Sequence, residues 1–259
     1  MNELLDMIWI ELRKAIRSKM PLWTTLGALF MPLGMAGLIL LAKNADIARS
    51  LGLISDKANL VSYAATDWSS YLGLSAEIIS AGGFFFFIVA VSWIFGREFV
   101  DGTLKDLLAV PVPRGSILLA KYIVAAIWSA VMALIMIIFS LLMAAIIHLP
   151  GGSTNIILKG ISVAGITACL VIIAVLPFSF FASLGRGYIL PMALAVLALI
   201  TANLTMIVGW AAYFPWAVAL LFALADSSLV PASYWILGTT SLTGMLATYL
   251  WWKYADQNR

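Results

Sequence analysis

Long apolar runs separated by short charged stretches set the pattern of this chain. A hydrocarbon layer about 30 Å thick takes about 20 helical residues to cross, so charge-free runs of that length read as transmembrane helices. Six are predicted, over about residues 22–42, 78–96, 122–147, 160–185, 188–208 and 233–252. The first starts too late and runs too long to be a cleaved signal. The fifth belongs to a stretch of 39 uncharged residues, Gly187 to Ala225. At about 58 Å as helix, that stretch is too long for one crossing and too short for two with a turn. Gly209, Pro215 and the cluster Tyr213, Phe214, Pro215 and Trp216 interrupt it. Residues 209–232 are therefore expected to form a re-entrant segment, its backbone covered by protein. The predicted fold is an all-α membrane protein with no soluble domain.

Two further helices are predicted outside the spans. In residues 1–20, Leu4, Leu5, Ile8, Trp9, Leu12 and Ile16 share one face, while Glu3, Asp6, Arg13, Lys14 and Arg17 fall largely elsewhere. This is the pattern of an amphipathic helix at the membrane interface, with Trp9 in the headgroup boundary and Arg13, Lys14 and Arg17 near anionic lipid. Pro21 is expected to end it and to bend the chain into the first span. In the loop 97–120, Gly102 permits a sharp turn and Thr103 can cap a helix, along which Leu104, Leu107 and Leu108 lie at i, i+3 and i+4. Glu98, Asp101 and Asp106 give this short helix an acidic edge, Pro111 and Pro113 stop it, and Ser116 is positioned to cap the next.

Composition removes several function classes. The chain is 63% hydrophobic and 10% charged, against roughly 45–50% and about 25% in soluble domains. The net charge of +3 resides in short clusters that read as orientation signals, so nucleic-acid binding is set aside. With the N-terminus inside, the inner segments carry eleven basic residues (Arg13, Lys14, Arg17, Lys19, Arg97, Lys105, Arg114, Lys121, Arg186, Lys253, Arg259) and the outer ones four (Lys43, Arg49, Lys57, Lys159). Both termini are thus expected in the cytoplasm. The single cysteine, Cys169, forbids an intrachain disulfide, and the single histidine, His148, forbids an H-E-x-x-H zinc site. No metal or catalytic group is expected. Asn203, with Thr201 and Thr205, is the strongest hydrogen-bonding group in a predicted span and can serve an interhelical bond or a substrate contact. Pro32 and Pro177 are expected to kink their helices. Gly160, Ala164 and Ala168 mark a close-packing seam, within or between subunits.

The loop text Gly96-Arg97-Glu98, Asp101-Gly102-Thr103-Leu104, Leu107-Leu108, Pro111-Val112-Pro113-Arg114 resembles the first cytoplasmic loop of ABC-2-type transporter permeases, an acidic E-x-x-x-G-T-L element followed by P-[VL]-x-R. The format of the chain looks most like permease subunits of bacitracin-export and lantibiotic-immunity systems. The resemblance implies an exporter subunit in the bacterial cytoplasmic membrane, working with a separate ABC ATPase and a second permease copy, identical or sister, on an amphipathic or lipid-like cargo such as an antimicrobial peptide. It assigns ATPase coupling to Glu98, Asp101, Gly102, Thr103, Leu104, Leu107 and Leu108. ATP and Mg would reside on the partner, and this chain indeed lacks a G-x-x-x-x-G-K-[ST] phosphate loop. A non-transporting membrane scaffold or sensor is the competing expectation.

Overall fold

A computed structural model describes residues 2–43, 54–55, 58–59 and 67–254 of the chain. Arg49, Lys57 and Arg259, which enter the basic-residue asymmetry, lie outside the described residues. The architecture is all-helical apart from a two-residue antiparallel pair, β1 (Ile54–Ser55) with β2 (Ala58–Asn59).

Helix α1 (Asn2–Arg17) ends at a bend over Ser18 and Lys19, and α2 (Met20–Lys43) begins directly after it. Pro21 therefore sits in the first turn of α2 rather than ending α1. A proline is tolerated there because the first-turn amides have no intrahelical acceptor. Helix α3 (Trp68–Ile78) opens on a capping box made by Asp67 and Ser70, passes through a π-turn (Ile79–Gly83) and continues as α4 (Phe84–Val100). This 33-residue stretch begins ten residues before the expected span. It is also the most interior, with Phe84, Phe87, Ile88, Val91, Ile94 and Phe95 all buried. Within the run Phe84 to Phe87, Phe85 is exposed and Phe86 covers Gly27.

Helix α5 (Leu104–Ala109) is the short loop helix, and α6 (Arg114–Ile146) runs for 33 residues. Ser116 lies inside α6, which starts from Pro113 instead. The expected fourth span is two helices, α7 (Thr154–Val175) and α8 (Phe178–Leu184), broken at Pro177. Proline has no N–H for the carbonyl four residues back, so within the helix Ile173 O keeps only a 3.3 Å bond from Leu176 N. Ser241 Oγ donates to that oxygen at 2.7 Å, and Trp216 Nε1 donates to Ala174 O at 3.0 Å. Gly244 permits this contact: a Cβ there would lie 2.5 Å from Pro177 Cα.

Helix α9 (Ile189–Val208) matches the fifth expected span and ends on Gly209 in the left-handed region, with Trp210 N donating to Thr205 O at 2.9 Å. Two single 3-10 turns (Ala211–Tyr213 and Pro215–Ala217) and α10 (Val218–Ala223) fill the segment expected to be re-entrant. The last helix, α11 (Pro231–Tyr254), is 24 residues long. Five helical stretches, within residues 20–41, 68–100, 114–146, 154–184 and 189–208, are long and apolar enough to cross a bilayer. Helix α11 has the length, but Ser233, Thr239, Thr240, Ser241, Thr243 and Thr248 dilute its apolar character.

Packing resolves the small-residue seam. A Cβ on Gly160 would lie 2.4 Å from Leu72, and Ala164 and Ala168 are buried, so the seam joins α7 to α3 within the chain.

Candidate functional site

The polar constellation with the most chemistry lies where α1, the end of α4, the start of α5 and the start of α6 converge. Helix α1 packs along α6, burying Met7, Glu11 and Ala15 at four-residue spacing. Glu98 on α4 is 2% exposed and Lys121 on α6 is 0% exposed. Burying either charge alone would cost several kcal/mol, so each must find partners. Lys121 Nζ donates to Glu11 Oε2 at 3.0 Å, Ile94 O at 3.1 Å and Glu98 Oε1 at 3.3 Å. Those three bonds use the full donor capacity of an ammonium group. Lys14 Nζ closes the ring, donating to Glu11 Oε1 at 2.9 Å and Glu98 Oε1 at 3.0 Å.

Two carboxylates and two ammonium groups balance in charge. Arg97 stands at the margin, its Nε 3.8 Å from Glu98 and its guanidinium over the Trp93 ring. Burial would lower the Lys14 pKa, but the charges of Glu11 and Glu98 outweigh it and hold the value above the ordinary 10.5.

This ring fixes the loop 97–120. Thr103 Oγ1 donates to Glu98 Oε2 at 2.6 Å instead of capping α5. Gly102, at φ +70°, makes the turn between Glu98 and Thr103 that permits this bond. Leu104 and Leu107 are buried in the chain's own core, with Leu108 half-buried beside them. Three expectations are thereby corrected. Glu98 meets basic groups of this chain rather than a free surface; Lys14 turns inward rather than toward lipid; and the leucine stripe packs at home. Outward stand Asp101, Lys105, Asp106, Ala109 and Val110. Trp9, Arg13 and Arg17 are exposed on α1, as are Leu5 and Ile16. Gly96 allows Gly187 and Tyr188 to lie against α4, since a Cβ there would be 2.9 Å from Gly187 O.

A second tie joins the same end. Arg114, the last residue of the loop motif, donates from Nη1 to the carbonyls of Trp252 and Lys253 at the end of α11, a favourable place for a cation. Trp252 is 1% exposed, stacks edge-on to Phe99 and donates to Ser183 Oγ at 2.9 Å. It is a packing residue. Tyr122 OH, Ser179 Oγ and Thr248 Oγ1 form a buried chain linking α6, α8 and α11. Asn203 stays apart, exposed on α9, its Nδ2 donating to Leu199 O of its own helix at 2.9 Å. It makes no interhelical bond within the described residues.

Glu11 and Lys121 were not legible as site residues. Their signal was a charge abutting long apolar sequence, Lys121 directly before the predicted span 122–147, which demands a partner without naming it.

Comparison with known proteins bears on what this end does. The sequence profile of the family described as ABC-2 family transporter protein matches residues 7–203, more than half of the chain. The chain belongs to the ABC-2 transporter family. It is similar to the bacitracin transport permease protein BCRB of Bacillus licheniformis, at 26% identity over 173 residues, covering 65% of this chain and 82% of that protein. The ABC-2 chain is thus a multi-pass permease subunit of a transporter, and its helices supply the membrane part rather than the ATPase.

Proposed function

We propose that this ABC-2 permease is the membrane half of an exporter in the bacterial cytoplasmic membrane, driven by a separate ABC ATPase that binds ATP and Mg. It spans six times with both termini in the cytoplasm, residues 209–232 dipping back into the bilayer, and works as a pair of permeases. The cargo is amphipathic or lipid-like, in the class of antimicrobial peptides, a reading supported by the similarity to a permease named for bacitracin transport. Helix α1 rests its exposed Leu5, Trp9 and Ile16 in the lipid boundary, with Arg13 and Arg17 at headgroup level.

The observation that carries the coupling role is the mounting of α5. Its inner face is locked by Leu104, Leu107 and the Thr103–Glu98 bond, while Lys105, Asp106, Ala109 and Val110 face outward at the charged end. A push on that face therefore reaches α1, α4 and α6 together, without being absorbed by a loose loop. The contact is made by this mixed face; the leucines stiffen it from behind. Leu104→Asp would consequently disturb folding as well as docking, and cannot serve as a clean docking probe.

The test is affinity purification of the tagged full-length chain from its native membranes. An ABC ATPase is expected to copurify, and the outward-face variant Lys105→Glu/Val110→Asp is expected to lose at least tenfold of it at unchanged permease abundance. Equal recovery with the variant removes α5 as the docking element. No ATPase with the wild type removes the transporter reading.

A further inference from the structure

A cleft of about 340 Å³ opens between α3, α7 and α10, far from the charged ring. Leu72, Val163 and Phe222 wall it, and Ser69, Gly73 and Lys159 belong to the same lining. Gly73 keeps it open, since a Cβ there would meet nothing within 4 Å. Gly73 precedes Glu98 by 25 residues along α3 and α4, which is about 38 Å of helix. With the ring at one surface of a hydrocarbon layer about 30 Å thick, the cleft stands at the headgroup level of the other.

The protein itself leaves the cation of this cleft unused. Lys121 spends all three of its protons on this chain's own acceptors, whereas the Lys159 ammonium has no ion pair or hydrogen bond among the described residues. Ser162 Oγ donates only to the Lys159 backbone carbonyl. The Ser69 hydroxyl likewise has no partner among the described residues. No carboxylate among them lines the cleft: Glu77 lies one turn farther along α3, and Asp226, next to the lining residue Ala225, accepts from Ser228 N at 2.7 Å. Apolar surface continues from the cleft along α7, where Leu158 beside Lys159 is 60% exposed and Ile166, seven residues on and so on the same face, is 46% exposed.

We propose that this cleft binds one anionic phospholipid of the surrounding bilayer, its phosphate on Lys159 and Ser69, its first methylenes against Leu72, Val163 and Phe222, and an acyl chain running on past Ile166. Charge selects the headgroup. A zwitterionic lipid brings a cation of its own to a rim that already holds one, while an anionic lipid supplies the negative charge that the rim lacks. Size selects against a peptide: the volume is at the small end of ligand sites and holds a headgroup with the start of its chains. A lipid seated there ties α10 to α3 and α7. The inference needs the multi-pass placement of the helices and is independent of the cargo and of the ATPase.

Gly73→Cys and, as a control on α11, Gly238→Cys are made separately in the full-length Cys169→Ser chain; a Cβ at either position meets nothing within 4 Å. Each purified protein is labelled with an uncharged maleimide in detergent containing dioleoylphosphatidylglycerol or dioleoylphosphatidylcholine. Rates are read as the ratio of position 73 to position 238, which removes the effect of surface charge on the thiols. The anionic lipid is expected to slow labelling at 73 about fivefold relative to the zwitterionic one, the gain of a single lysine at an anionic lipid surface. Lys159→Gln is expected to abolish that difference and Lys159→Arg to keep it. Lys159 is exposed, so both variants should melt with the parent protein in phosphatidylcholine. Equal slowing by the two lipids overturns the proposal in favour of an apolar slot blind to charge. Equal slowing by inorganic phosphate without lipid overturns it in favour of a free-anion site. Labelling at 73 that ignores both lipids, or a lipid difference that survives Lys159→Gln, removes the cleft as the headgroup site.

Discussion

Replacing Lys121 by methionine tests whether the four-charge ring holds the charged end together. The two side chains are close in length, so the change removes the ammonium without opening a large void. Glu11 and Glu98, each 2% exposed at the side chain, are then left to share Lys14, with Arg97 at the margin. Three donated bonds vanish together, from Nζ to Glu11, Glu98 and Ile94 O. Removing one partner of a buried pair costs about 3–5 kcal/mol, because the remaining charge keeps its desolvation penalty. For a chain of this size that is a fall of about 6–20 °C in apparent melting temperature. The ten tryptophans give a fluorescence readout in detergent at one scan rate. Because the penalty resides in the stranded carboxylates, neutralising one of them must relieve it. Lys121→Met in a Glu98→Gln background should cost at least about 1 kcal/mol less than it does alone. A Lys121→Met protein that melts with the wild type, or that loses the same amount in both backgrounds, would refute the ring as a cooperative unit.

Gly244→Ala places a methyl 2.5 Å from Pro177 Cα and should destabilise by about 1–3 kcal/mol, whereas Gly238→Ala, on the same helix with nothing within 4 Å, should be neutral or gain up to about 1 kcal/mol; equal melting of the two removes the close-approach argument. The Lys14 pKa is raised above 10.5 in the folded chain, its burial outweighed by Glu11 and Glu98, so its stabilisation is complete below pH 10.5 and is lost as pH climbs through the raised value. Melting followed from pH 9 to pH 11 should fall more steeply for the wild type than for Lys14→Met, and parallel curves would contradict that assignment.

What could be read from the chain depended on range. Helix α9 matches the expected 188–208 almost residue for residue because its boundaries are local: a charge-free run of spanning length, closed by Gly209. The turn at Gly102 and the short helix over Leu104 and Leu107 were legible for the same reason. Direction was not. A leucine stripe looks the same whether it faces a partner protein or its own chain, and only the folded core decides that Leu104 is buried. The ring Glu11, Lys14, Glu98 and Lys121 joins residues up to 110 positions apart, beyond the reach of any periodicity. Residues 1–20 showed the apolar side but not that it divides, with Leu4, Ile8 and Leu12 packed on the core and Leu5, Trp9 and Ile16 left outside. The expected fourth span failed as one rod because Pro177 acts over a single turn, whereas the groups that satisfy the break, Ser241 and Trp216, come from elsewhere.

The break at Pro177 also sets an order of assembly. Beside it, Ile173 O keeps a 3.3 Å bond from Leu176 N, while the shorter bond to it and the bond to Ala174 O come from side chains that leave the ribosome later, Trp216 first and Ser241 after it. During synthesis the fourth hydrophobic stretch thus enters the bilayer as an unfinished element, and it stays so until the C-terminal helix docks. Quality control that senses open polar backbone in hydrocarbon would read this chain as immature until α11 is made and docked.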